Sequence, residues 1–203
     1  VHWLDFPFAA SWPGNNPKSQ WPDAEWKSLD FLQKENPDVV CAWQECWPHG
    51  SGVMNWDAVG RIEIDGTWEW LLVEAKSHTG ELQTDCGAGD ESRRKIQGVF
   101  EEVKRDLSVP QTADWLTKYY QYANRLAVLH HLDKHDVKAR LLFIYFCGDV
   151  WPSPGKDCPK HEADWDEVLE AQEEHLGLLK KHPLAGRIHK LFLPVWVDPQ
   201  KRL

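Results

Sequence analysis

Asp57, Glu74 and Lys76 are the residues of this chain whose types and spacing could do chemistry together. Residues 56–64 and 67–76 alternate in the β manner, and Asp65-Gly66 between them is a strong two-residue hairpin signal. With Ile64 opposite Thr67, each step down one strand is matched by a step up the other, and the walk places Asp57 opposite Glu74. Opposed residues share a face with Cβ atoms about 4.5–5.5 Å apart, and Lys76 lies two residues further along that face. The other face gathers Ala58, Ile62, Ile64, Leu71, Val73 and Ala75, which suits a core. Facing carboxylates repel, and both ionise only when a cation or a proton compensates. Oxygen ligands at this spacing suit Mg²⁺ or Mn²⁺, and a pair without thiol or imidazole argues against structural zinc. A surface ion pair of Glu74 with Lys76 is the plain alternative; the apolar run Leu71-Leu72-Val73 leading into the site weighs against it. A bulge in either strand would shift this register by one residue.

The elements around the hairpin follow from periodicity and breakers. Residues 1–20, rich in Pro, Gly and Asn, form an irregular arm pinned by Trp3, Phe6, Phe8 and Trp12. A helix is expected over 23–34, with Trp26, Leu29 and Leu32 on one face and Asn36-Pro37 as its stop. A short β-like run over 38–46 and a Gly-rich turn over 49–52 come next. After the hairpin, a loop over 80–89 precedes a helix over 91–107 with the stripe Ile96, Val99, Phe100, Val103 and Leu107. Pro110 breaks it, and Thr112 is the expected N-cap of a helix reaching 134. Residues 137–147 are a strand whose apolar run suggests burial on both faces. A Pro/Gly loop over 151–159, a helix over 163–181 and a strand over 187–196 close the chain, Pro194 placing that strand near an edge. The order is that of an α/β (mixed α+β) domain, a central mixed sheet flanked by helices, spanning 1–203 as one unit.

The pattern Asp57…Glu74-Ala75-Lys76 resembles the D…(D/E)-x-K signature of the PD-(D/E)XK nuclease superfamily, on a hairpin of the kind that family uses. The expected helix before the hairpin, and the helix and strand after it, resemble that restriction-endonuclease-like αβββαβ core over residues 23–147, with 160–197 as a C-terminal helix–strand extension. The resemblance implies a nuclease that hydrolyses phosphodiesters of nucleic acid, DNA before RNA, with Mg²⁺ (or Mn²⁺) as cofactor. Asp57, Glu74 and the carbonyl of Ala75 would bind the ion, and Lys76 would orient or activate the attacking water. Trp56 stands where the family often has Pro. One branch of the family carries Q-x-x-x-Y on the following helix; here Gln121 is followed at i+4 by Arg125, so Gln121 keeps a supporting role and the Tyr role does not transfer.

Lesser candidates each have an ordinary reading beside the functional one. Glu45, at the end of the expected strand before the hairpin, offers a third carboxylate or a solvated strand end. His78, just after Lys76, touches a phosphate or water at the site mouth or is a polar loop residue, and Glu81 reaches the same mouth or caps a turn. Arg93, Arg94 and Lys95 form a nucleic-acid-binding phosphate clamp or a solvated helix start. Gln121, Asn124 and Arg125 share a helix face and suit a site wall. His131 and His135 have zinc-helix spacing without the accompanying glutamate, and Cys158 to His161 lacks a second ligand pair. The thirteen Trp stack on bases or sugars, or, more simply, pack the core and its joints.

Composition sets the outer bounds. With 203 residues the chain supports one full core, and no apolar run approaches the ~18 residues of a membrane helix. A net charge of −9 excludes a protein coated in basic charge for nucleic acid, though a local basic cleft is compatible with it. Five scattered Cys and a start without signal-peptide character point to reduced thiols in the cytoplasm. No phosphate-cradling Gly-rich motif supports a nucleotide cofactor. The function expected from the carboxylate hairpin and the resemblance is a metal-dependent nuclease, with a homodimer as its candidate assembly. The alternatives are a non-catalytic binding module of nuclease shape and a two-carboxylate glycoside hydrolase.

Overall fold

The Asp65-Gly66 signal is realised as a tight hairpin. Both residues sit at positive φ, 50° and 75°, as a type I′ turn requires. The computed structural model describes residues 1–4, 25–48, 53–150, 158–178 and 180–195. In chain order its elements are β1 (His2–Trp3), β2 (Trp26–Lys27), α1 (Pro37–Cys46), β3 (Asn55–Trp56), β4 (Ala58–Ile64) and β5 (Thr67–Lys76). They continue as α2 (Asp90–Asp106), α3 (Tyr120–Lys134), β6 (Ala139–Cys147), α4 (Ala163–Leu176) and β7 (Ile188–Pro194).

The fold is mixed α/β. A five-stranded sheet runs in the order β1-β4-β5-β6-β7, and β2 pairs with β3 in a separate small sheet. β4 is antiparallel to β1 and β5, whereas β5, β6 and β7 are mutually parallel. Parallel neighbours need crossovers, and α2 with α3 supplies one while α4 supplies the other. The hairpin keeps the expected register from Ile64↔Thr67 through Ala58↔Val73.

The local expectations held where a signal was complete. The helix over 91–107 is α2, the apolar strand is β6, and β7 is an edge strand ending at Pro194. β6 alternates between buried and half-buried residues rather than being sealed on both faces. The C-terminal helix stops at Leu176, where Gly177 turns left-handed. The turn over 49–52, the loop over 151–157 and the arm beyond residue 4 lie outside the described residues.

Three expectations are corrected. Residues 26–32 form β2 and a single 3₁₀ turn, not a helix. Residues 37–46 form helix α1 rather than a strand, because Pro37 starts a helix at its first position instead of ending one. Its apolar residues Val39, Val40 and Trp43, followed by Trp47, recur at helical spacing and are buried. Finally, α3 begins at Tyr120, not near Thr112. The Asp114 carboxylate accepts from Leu116 N and Thr117 Oγ1, and Lys118 sits at φ 63°, so this stretch is a folded turn. Thr84, from the loop before α2, accepts from Gln121 N at 2.9 Å and caps α3 in place of Thr112.

The larger core lies on the face opposite to the expected one. Trp70 and Leu72 of β5 and Val59 of β4 pack with α1, α2 and α3, joined by Trp43, Trp47, Phe100, Trp115 and Leu126. Ala58, Leu71 and Val73 form a smaller cluster on the other face. Glu74 and Lys76 therefore continue the row of Trp70 and Leu72 beneath the helices. The buried Trp residues 43, 47, 56, 70, 115 and 165 are core packing, not an exposed stacking surface.

The hairpin offers a clean stability test. A Cβ at Gly66 would meet nothing within 4 Å, so only the left-handed backbone penalises a side chain there. Gly66→Ala should lower the unfolding free energy by about 1 kcal/mol in urea titration. An unchanged midpoint would contradict the turn assignment.

Candidate active site

The sheet ladder stops one residue short of Asp57. Its N–H donates to the Val73 carbonyl at 3.1 Å, although Val73 is already the partner of Ala58. Two consecutive residues thus face one, the pattern of a β-bulge. The Asp57 side chain turns with it, and Oδ2 accepts from Ala75 N at 2.6 Å. Asp57 is therefore not stacked square on Glu74 as the unbroken register implied. N–H and C=O of one strand residue point to the same side, so the Ala75 carbonyl faces the Asp57 side of β5 as well.

Glu74 is buried, 4% exposed, and both of its oxygens are doubly engaged. Oε1 accepts from Lys76 Nζ at 2.5 Å and from Gln121 Nε2 at 2.8 Å. Oε2 accepts from Arg125 Nε at 2.9 Å and Nη2 at 2.6 Å. Lys76 Nζ also donates to Gln121 Oε1 at 2.8 Å, which closes a ring of three side chains. The i, i+4 pair Gln121 and Arg125 on α3 thus lies directly over the strand pair Glu74 and Lys76.

Arg125 is the most enclosed member, at 2% exposed. Besides Glu74 it donates to the Asn55 carbonyl and to Asn124 Oδ1, each at 2.7 Å. Its guanidinium lies 4.7 Å from the centre of the Trp56 ring, and Trp56 is itself fixed by donating Nε1–H to Ser28 O. Trp56, occupying the position before Asp57, is thus the floor under Arg125, a role that its place in the sequence did not reveal.

Asp57, Glu74, Ala75, Lys76, Gln121 and Arg125 line the floor of a cleft of about 800 Å³. Trp47, Met54, Ile96 and Tyr120 give one side an apolar and aromatic wall. Among the described residues, five carboxylates line the cleft, from Glu25, Asp57, Glu74, Glu81 and Asp85, against the two cations Lys76 and Arg125. Asp85 was not singled out by sequence; it holds Lys118 N within a loop whose only signal was its Gly content. Burial, and then the neighbouring Glu74 charge, raise the Asp57 carboxyl above its ordinary pKa, against the opposing pull of the Ala75 N–H, Lys76 and Arg125.

Other sequence candidates fall outside the cleft wall. Glu45 is exposed on the last turn of α1, because that segment is a helix and not a strand leading to the hairpin. His78 is buried at the start of a 3₁₀ turn, where it and Glu81 cap each other, and of the two only Glu81 reaches the cleft. Arg93 donates to the Cys86 carbonyl, Arg94 donates to the Asp90 carbonyl, and Arg94 and Lys95 are exposed; α2 turns Ser92 and Ile96 to the cleft instead. His131 bonds the Val39 carbonyl, with its pKa lowered chiefly by burial. Among the described residues no group of three or more His, Cys, Asp and Glu is placed to hold a metal ion.

Two stability measurements follow from these contacts. Arg125→Met leaves Glu74 Oε2 without a donor while Lys76 still holds Oε1, and should cost about 1–3 kcal/mol in denaturant, with part of the loss recovered in the double variant with Glu74→Gln. A loss under 1 kcal/mol, or no recovery, would contradict the pairing. Asp57 carries the opposite sign. A carboxyl whose pKa is raised on folding favours the folded state while protonated, and that stabilisation is lost as pH rises through the folded pKa. Asp57→Asn should therefore melt higher than the wild type at pH 7, the advantage shrinking as pH falls through the carboxylate range. A lower melting temperature for Asp57→Asn at pH 7 would refute it.

No protein-family model, curated protein or solved structure matches this chain.

Proposed function

We propose that this protein is a Mg²⁺- or Mn²⁺-dependent hydrolase of nucleic-acid phosphodiesters, with DNA as the first substrate to test. The observation that carries the reading is the convergence of Asp57, the Ala75 carbonyl, Glu74 and Lys76 on the floor of one cleft. The arrangement is consistent with the PD-(D/E)XK resemblance of the hairpin.

The donors present suit a hard ion that keeps most of its waters. Asp57 has Oδ1 beyond its bond to Ala75 N, and the Ala75 carbonyl faces the same side. Glu74 has no open position while Lys76, Gln121 and Arg125 hold it. Asp57 and Ala75 would thus anchor the ion, with Glu74 joining once Oε1 is released. When bound, the ion supplies Lewis-acid charge at a phosphate and a more acidic water.

The chain's own groups do the rest. Lys76 sets an ammonium at the cleft floor, where it neutralises charge developing on phosphate oxygens. Arg125 fixes the Glu74 carboxylate without meeting substrate, since it is enclosed by Trp56, Asn55 and Asn124. Tyr120, half-buried on the cleft wall, offers a ring against which a base can stack. The five carboxylates against two cations among the described cleft residues repel a polyanion, so this reading calls for added cations in the cleft when substrate enters.

A glycoside hydrolase fits less well, because Lys76, Gln121 and Arg125 occupy both oxygens of Glu74 and leave neither open to a sugar. A binding-only protein is favoured by one observation, the complete engagement of Glu74 in internal hydrogen bonds.

Activity separates the readings. Purified protein should cleave single- or double-stranded DNA with Mg²⁺ or Mn²⁺ and stop in EDTA. Asp57→Asn and Lys76→Ala should each lose at least about 10²-fold in rate while remaining folded by circular dichroism. No metal-dependent cleavage of DNA or RNA would leave the binding-only account standing.

A further inference from the structure

We propose that Lys76 is a tethered stand-in for the divalent ion at Glu74, so that loading the site is an exchange: Lys76 leaves Glu74 Oε1 and the ion takes its place. This rests on the metal-dependent reading above and concerns how that same site is regulated.

The two cations on Glu74 are held very differently. Arg125 is anchored by the Asn55 carbonyl, the Asn124 amide and the Trp56 ring, so moving it would break contacts on three sides. Glu74 Oε2 is closed to an ion by that anchoring. Lys76 ends a flexible four-carbon stem, and its ammonium meets only Glu74 Oε1 and Gln121 Oε1 among described side chains. It is the one cation of the pair free to give way.

Charge gives the exchange its reason. Glu74, Lys76 and Arg125 together carry +1, so an ion arriving at Oε1 with Lys76 in place meets net repulsion from the trio. Once Lys76 withdraws, the ion would lie between the Asp57 and Glu74 carboxylates, and their mutual repulsion would be replaced by attraction of both to the ion. Gln121 makes the withdrawal cheap, because Lys76 keeps its acceptor on Gln121 Oε1 at 2.8 Å after letting go of Glu74. The displaced ammonium stays in the cleft, so loading the ion and freeing Lys76 for substrate become one event.

The test is metal affinity, not turnover. Mn²⁺ is titrated into the full chain and into Lys76→Met, with binding read by calorimetry or by loss of the free-Mn²⁺ resonance signal. Removing the competitor should tighten binding on the order of tenfold or more. Binding by the wild type with equal or weaker binding by the variant would overturn the exchange and leave the metal-dependent reading intact. No binding by either protein would overturn both. Should Lys76→Met fail to fold, the wild type decides the matter. In ¹⁵N-lysine spectra the Lys76 ammonium signal should shift or vanish as Mg²⁺ saturates the site. An unmoved Lys76 signal with Mg²⁺ bound would show that the ion does not displace it.

Discussion

The structure depends on burying one carboxylate. Glu74 continues the apolar row of Trp70 and Leu72 into the region beneath α3, where an unpaired charge would cost several kcal/mol. Arg125, Lys76 and Gln121 supply every hydrogen bond that Glu74 takes, and each requires its own support. Trp56 lies under Arg125, the small β2–β3 sheet positions Trp56, and Thr84 caps the turn of α3 from which Gln121 descends. The fold around the hairpin is arranged so that both oxygens of this carboxylate meet donors in the interior.

Asp57 completes the cleft by a different route. It lies where the ladder breaks, and its carboxylate is held by a single backbone N–H instead of by side-chain cations. Burial, and then the neighbouring Glu74 charge, act against it, so its ionised form is a local expense to stability. A strained charge of this kind beside a fully compensated one is a common device for preparing a group to meet a cation. The acidic cleft above the pair is consistent with a requirement for added positive charge before an anionic substrate enters.

Much of this was legible in sequence, because it depended on short-range signals. Asp65-Gly66 identified the hairpin and its register, and alternation put Glu74 and Lys76 on one face. The i, i+4 spacing of Gln121 and Arg125 identified them as a pair. What escaped the reading was decided by contacts between distant segments. Val39-Val40-Cys41-Ala42-Trp43 has β-forming residues, yet Pro37 starts a helix there and packing selects the helical spacing. Thr112 is a good cap in isolation, but Asp114 folds that stretch into a turn and Thr84 takes the capping role. At Asp57 the ladder breaks and the carboxylate accepts from Ala75 N, a local arrangement that no pattern of apolar residues encodes. The basic run at 93–95 was a sound electrostatic signal, but helix phase turned Ser92 and Ile96 to the cleft instead.

The central claim is that Asp57 and the Ala75 carbonyl mark the position of a divalent ion above the Glu74 cluster. Its most direct test is a crystal structure grown in Mn²⁺, with data collected for anomalous scattering. The account predicts an anomalous peak within about 2.0–2.4 Å of Asp57 Oδ1 and the Ala75 carbonyl. Such a map with no peak at the cleft floor, or with Mn²⁺ bound only elsewhere on the protein, would contradict it.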